Sequence, residues 1–221
     1  MQRRYAVLLA DVIASGRQKR LREVLGEKLR LASLAHRKKG WIRVPYAVTA
    51  GDEFQAVVPQ PGALPEIILD LRRRMRPLNL RIAAGVGGVH GPVRAPVNRL
   101  QGEAFVRARQ AMEELKSGRL HKYPALTAFH TGKPALDQIA NLMYGLNDTL
   151  LRGVTAKQWQ AIDAFLAKRR VRWAARALRL DESTVSRRLS RGHYWQLAEV
   201  TRAMKIVLES GFRDLPFKRQ T

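Results

Sequence analysis

The sequence predicts an α+β protein: a mainly antiparallel sheet with helices on one face, followed by an all-α segment. Three observations predict it. Strand-length apolar runs alternate with longer amphipathic stretches up to residue 131, in the order β-α-β-β-α-β-α-β. Two of those runs flank Gly51-Asp52, which has a glycine where a tight hairpin turn needs positive φ. Beyond Thr131-Gly-Lys-Pro134 the pattern is wholly helical.

Tyr5 to Ala10 is a continuous apolar run suited to a central strand covered on both faces, and it ends at Asp11. Ser15-Gly16 breaks the pattern. Leu21, Leu25, Leu29 and Leu31-Ala32 then recur at helical spacing until Lys38-Lys39-Gly40. Trp41 to Ala47 and Phe54 to Val58 read as the hairpin strands, and Pro59-Gln60-Pro61-Gly62 as a loop. Leu64 to Met75 is the next helix, with Arg72-Arg73-Arg74 near its C-terminus, where cations suit the dipole. Leu80 to Val89 is a strand whose glycines let another backbone or a ligand come close. A helix from about Gln101 to Lys116 turns Phe105, Ala108, Ala111, Met112 and Leu115 inward, and Ala125 to His130 is an edge strand. Helices follow over 135–151, 155–167 (capped by Thr155), 171–180, 182–191 (capped by Asp181) and 193–210. The expected division is 1–131 for the sheet domain, 132–154 for a connector helix and 155–221 for a helical domain.

The formal charge of +23 and a pI near 11.4 point to a polyanionic partner, nucleic acid first. With no cysteine, disulfides and thiolate zinc sites are excluded, and the five histidines have no ligand-like spacing. Asp11 interrupts the only leader-like run, and no window approaches the ~20 apolar residues of a membrane span, so a cytoplasmic protein without membrane contact is expected.

Neighbouring strands lie about 4.8 Å apart, so the end of the first strand and the hairpin tip can meet and bring Asp11 and Asp52 together, with Glu53 beside them. Paired carboxylates repel unless cations intervene, and Mg²⁺ or Mn²⁺ with substrate phosphates is a natural solution, the logic of nucleotidyl transfer. Arg17, Arg81, Arg109 and Lys116 are candidates for the phosphate side. The plainer readings are that acids favour exposed turns, that Asp11 caps a strand end, that Lys116 is a solvated lysine at a helix C-terminus, and that Gly85, Gly87 and Gly88 serve packing.

Ala10-Asp11-Val12-Ile13-Ala14-Ser15, Thr49-Ala50-Gly51-Asp52-Glu53-Phe54-Gln55, Arg81 to Gly87 and Gly102 to Ala111 together resemble the SatD family of bacterial proteins. The arrangement is similar, more distantly, to the palm-like domains of GGDEF-type diguanylate cyclases, class III nucleotide cyclases and CRISPR polymerases. The resemblance implies a ferredoxin-like, palm-like sheet. It further implies metal ligation by Asp11, Asp52 and the Val12 carbonyl, an auxiliary or catalytic Glu53, backbone approach to a nucleotide at Gly51, and phosphate contact by Lys116.

Val171 to Arg191 has the layout of a helix-turn-helix. Ala174-Ala175 lets two helices cross closely, Leu178 and Leu180 fill between them, and Val185 and Leu189 anchor the second. Its outer face is Ser183, Thr184, Ser186, Arg187, Arg188 and Arg191, suited to base edges and phosphates of double-stranded DNA. Arg187 or Arg188 suits a bidentate contact to guanine and Arg169, Arg170 and Arg191 suit phosphate, while Trp173, Tyr194 and Trp195 are expected in the core. Three functions stay open: a metal- and nucleotide-binding domain coupled to a DNA-binding regulator; a non-catalytic DNA-binding regulator whose first domain senses or dimerises; and an active nucleotide cyclase or polymerase using a nucleoside triphosphate. A homodimer is compatible with each.

Overall fold

The computed structural model describes residues 4–13, 21–93 and 96–212. Strand β1 (Tyr5–Val12) lies at the centre of a five-stranded sheet, because its side chains are apolar on both faces and both faces are covered. Helix α1 (Leu21–Lys38) follows, then the hairpin β2 (Ala47–Ala50) and β3 (Glu53–Val58), helix α2 (Leu64–Met75), strand β4 (Leu80–Gly87), helix α3 (Glu103–Ser117) and strand β5 (Thr127–His130). The sheet order is β2-β3-β1-β4-β5. All pairings are antiparallel except β4 with β5, which is parallel. The first four strands thus have the ferredoxin-like order.

Helices cover both faces of this sheet, which corrects the expectation of helices on one face. Alternation along β1 decides the partition. Ala6, Leu8, Ala10 and Val12 join a core with α1 and α2, while Val7 and Leu9 join a second core with Ala104, Ala108, Ala111 and Met112 of α3. The approach of α3 depends on glycine, since a Cβ on Gly85 would stand 2.2 Å from the Ala108 amide nitrogen and 2.3 Å from the Ala104 carbonyl oxygen. The strand glycines of β4 therefore admit a helix backbone.

Smaller departures have local causes. The run 41–46 is not strand: Pro45 lacks a ladder donor, and the neighbouring amides of Trp41 and Tyr46 bond to His36 and Ser33 of α1. Leu31 faces solvent while Leu25, Leu29 and Ala32 hold the buried stripe, and Phe105 is only half-buried. Gly51 does turn the hairpin, with φ of +59°.

Helices α4 (Pro134–Arg152), α5 (Ala156–Lys168), α6 (Val171–Leu178), α7 (Glu182–Arg191) and α8 (Tyr194–Gly211) complete the chain. Helix α4, expected as a connector, is built into the first core through Leu136, Ala140 and Tyr144. It also closes the β5 edge: Phe129 N–H donates to the Asn141 side-chain oxygen at 2.7 Å, and the Asn141 amide donates back to the Phe129 carbonyl at 3.1 Å. A third core joins α5, α6, α7 and the start of α8 around Ile162, Ala174, Val185, Leu189 and Leu197. Farther along α8, Met204 and Leu208 enter the first core.

Three buried residues lock α1 to α2. His36 is fully buried; its Nε2 lies 2.8 Å from Asp70, and because an ionised carboxylate only accepts, Nε2 donates. Its Nδ1 lies within hydrogen-bond distance of the Tyr46 hydroxyl, at 2.8 Å. Burial pushes the Asp70 pKa up, but the hydrogen bonds from His36, Arg73 and Arg74 outweigh it and hold the carboxyl well below the usual range. Burial, reinforced by the Asp70 charge, raises the Tyr46 phenol.

Candidate functional site

One row of side chains crosses the sheet on the face beneath α3. Strand register sets Glu53 of β3 opposite Asp11 of β1, and Asp11 opposite Arg81 of β4. Helix α3 lays Arg109 and Lys116 over that row; seven residues apart, they share one stripe two turns long. Asp11 and Glu53 are each only 6% exposed. Arg81 donates to Asp11 Oδ2 at 3.1 Å, and Arg109 grips both oxygens of Glu53 at 2.9 and 3.0 Å. Lys116 Nζ stands between the acids, 3.7 Å from Asp11 and 3.9 Å from Glu53. Thr49 adds a hydroxyl donated to Glu53 at 3.1 Å.

The partner of Asp11 is therefore Glu53, not Asp52, and the reason is the two-residue period of a strand. Glu53 is the first residue of β3 and points to the α3 face, whereas Asp52 stays in the turn, half-buried and outside the cluster. Val12 sits opposite Leu80 in the β1–β4 ladder, with its side chain in the other core. Gly51 is exposed at the tip. Arg81 and Lys116, candidates for phosphate contact, lie close to Asp11. Ser15-Gly16, Ala14 and Arg17 lie outside the described residues.

The donor set decides whether a divalent ion fits. Two carboxylates here face three side-chain cations, and the Asp11 and Glu53 oxygens nearest Lys116 are already occupied by charge-assisted contacts. An Mg²⁺ ion at this spot would meet ammonium and guanidinium groups instead of free oxygens, so this arrangement does not fit it. Among the described residues no group of three or more His, Asp or Glu is placed to hold a metal. The cluster carries one net positive charge and latches α3 to β1, β3 and β4.

A second site lies on α7. Asp181 caps the helix, accepting from the Thr184 amide at 2.7 Å and from the Ser183 and Thr184 hydroxyls at 2.6 and 2.8 Å. Those bonds hold its carboxyl well below the ordinary range. Val185 and Leu189 are buried against α5 and α6, leaving Ser183, Ser186, Arg187 and Arg191 exposed and Thr184 and Arg188 at the margin. Ala174 and Ala175 of α6 are buried, and three residues, Arg179 to Asp181, make the turn, with Arg179 at φ of +53°. Between Lys168 and Arg191 nine side chains are cationic and two, Asp181 and Glu182, acidic.

Two aromatic assignments are corrected. Tyr194 is buried, but Trp173 and Trp195 are 50% and 48% exposed, because each stands on the outer side of a helix whose inward positions are filled by Ala174, Ala175 and Leu197. Trp173 lies beneath the Lys168 ammonium at 5.6 Å, and Trp195 packs edge-on against Phe165 at 5.7 Å. Arg169 donates to the Tyr194 hydroxyl.

The Glu53–Arg109 grip escapes sequence reading, since it depends on where α3 crosses the hairpin. Alternation puts Glu53 beside Asp11 only once the first residue of β3 is fixed.

A family model described as the SatD family matches residues 5–195. No curated protein matches the chain. Among solved structures, a bacterial light-regulated adenylyl cyclase is similar at 14% identity and a TM-score of 0.39, covering 58% of this chain and 43% of that one, so the chain spans less than half that cyclase's length. A microbial GGDEF domain, described in its interaction with cyclic di-GMP, is similar at 20% identity and a TM-score of 0.34, over 52% of this chain and 72% of that one. A regulator of polyketide synthase expression from Bifidobacterium adolescentis is similar at 16% identity and a TM-score of 0.33, over 96% and 84%.

Proposed function

The chain belongs to the SatD family, and we propose that it is a regulator that reads double-stranded DNA through α7. One observation carries the reading: α7 is anchored by Val185 and Leu189 and turns Ser183, Ser186, Arg187 and Arg191 to solvent, behind a three-residue turn from α6. That is the helix-turn-helix layout, in which the second helix enters a major groove. Arg187 has the reach for a bidentate contact with guanine; Arg170 and Arg172, exposed at the start of α6, suit phosphate. The sheet domain acts in this reading as a rigid carrier, since three cations already satisfy its acidic pair.

The test is selection of duplexes from a random pool by the full-length chain, followed by fluorescence anisotropy against salt. An enriched sequence bound more tightly than its scrambled counterpart, with the preference weakened in Arg187→Ala, is expected. Equal affinity for every duplex, varying only with salt, refutes sequence reading.

A further inference from the structure

A cavity of about 800 Å³ opens where the sheet meets the helices. Its sheet wall is the short loop from Arg76 to Asn79 with Leu80 and Arg81 of β4 and the end of α3 at Leu115 and Lys116. Leu151 and Arg152 at the end of α4, Val154, and Ala156 and Trp159 of α5 complete the lining on the helical side. This volume is that of a small-molecule site, and the walls have the composition of one: facing apolar surfaces with a few cations at the margins.

The charge on those walls is specific. Among the described residues no acid lines the cavity, whereas five cations do. Arg72 is answered by Asp148 at 3.0 Å, and Arg76 by Asp163 at 2.6 Å. The other three are not fully neutralised. Arg81 and Lys116 belong to the cluster that carries one positive charge in excess. Arg152 donates only to the Pro124 carbonyl, and no described carboxylate pairs with it. Two uncompensated positive charges thus line a chamber that apolar residues otherwise dominate. Trp159, held under the Arg76 guanidinium at 4.7 Å, contributes an aromatic surface.

We propose that this cavity binds a phosphate monoester with an aromatic body, a nucleoside monophosphate by class. The phosphate dianion matches the two free charges, with Arg152 on one side and Arg81 and Lys116 on the other. The ring lies between Leu78 and Leu115 of the sheet wall and Val154 and Trp159 of the helical wall. No metal takes part. The site is separate from the exposed face of α7, so it stands or falls independently of the DNA reading.

The experiment is isothermal titration of the full-length chain, in excess EDTA, with AMP and GMP, and separately with adenosine, guanosine and inorganic phosphate. At least one monophosphate should bind in the micromolar range, with the corresponding nucleoside and phosphate alone each at least about tenfold weaker. Arg152→Glu, at an exposed position, should weaken binding at least about tenfold. Ala125→Trp, which fills the cavity without changing charge, should abolish it, while Arg187→Ala should leave it unchanged. The proposal is overturned if neither monophosphate binds, if phosphate alone binds as tightly, or if Arg152→Glu and Ala125→Trp, checked by circular dichroism as folded, bind as the parent does.

Discussion

Arg109 closes on Glu53 with both terminal guanidinium nitrogens, at 2.9 and 3.0 Å, and so fastens the middle of α3 to the first residue of β3. Glu53 is buried and Arg109 half-exposed, so the cost of breaking the pair falls on the carboxylate left without its partner. Arg109→Ala is expected to lower stability by about 1–3 kcal/mol in urea denaturation. Asp52→Asn, in the turn beyond the cluster, should stay within about 0.5 kcal/mol of the parent. Equal losses in the two variants would contradict the assignment of Glu53 as the paired acid.

Lys116 stands where a cation is shared by Asp11 and Glu53. Its removal takes one positive charge from between the carboxylates, while Arg81 and Arg109 keep their hold on Asp11 and Glu53. Lys116→Ala should therefore bind Mn²⁺ more tightly than the parent, by about tenfold or more, in water-proton relaxation titrations. An affinity unchanged or reduced would show that the lysine does not occupy the position an ion would need.

Asp70 supplies a pH dependence whose sign is fixed. Its folded-state pKa lies below the ordinary carboxylate value of about 3.9. The stabilisation is thus fully present above about pH 4 and is lost as pH falls through the depressed folded-state value. Asp70→Asn should cost about 3–5 kcal/mol at neutral pH, and should flatten the acid limb of a stability-against-pH curve measured by urea titration. An acid limb as steep as the parent's would place the proton uptake elsewhere.

The two arginine classes of the helical end should separate in anisotropy measurements. Arg187→Ala should lose about 1–3 kcal/mol on the preferred duplex and relax the preference at one base pair. Arg170→Ala should weaken all duplexes alike and reduce the salt slope by about 1. If both variants behave in the second manner, α7 contributes charge alone.

Gly85→Ala brings a Cβ within 2.2 Å of the α3 backbone, which no side-chain rotation relieves. A loss of about 1–3 kcal/mol is expected in thermal or urea denaturation. Gly51→Ala should cost less than that, since space there is open and only the positive φ is strained.

Much of this was legible in the sequence where the determinant is local. The Thr155 cap forms with Gln158 as a capping box, Asp181 caps α7, and Gly51 turns the hairpin. The apolar run of β1 signals cover on both faces, as α1, α2 and α3 provide. What stayed illegible depends on assembly. Whether Asp52 or Glu53 faces Asp11 is set by where β3 begins, a difference of a single residue. The exposure of Trp173 and Trp195 follows from small residues having taken the inward positions, and a large aromatic is a poor guide to which side of a short helix is covered. The His36–Asp70–Tyr46 chain joins residues up to 34 positions apart, and no spacing announces it.

Helix α8 begins at Tyr194 among the α5–α7 side chains and ends with Met204 and Leu208 beneath the sheet. A chain sewn together in this way is not a pair of detachable modules. Cutting it ahead of α8 would strip a lid from one interior while unseating the other, so either half expressed alone should lose its compactness, and any tilt of α6 and α7 would be felt as a lever stroke on the sheet.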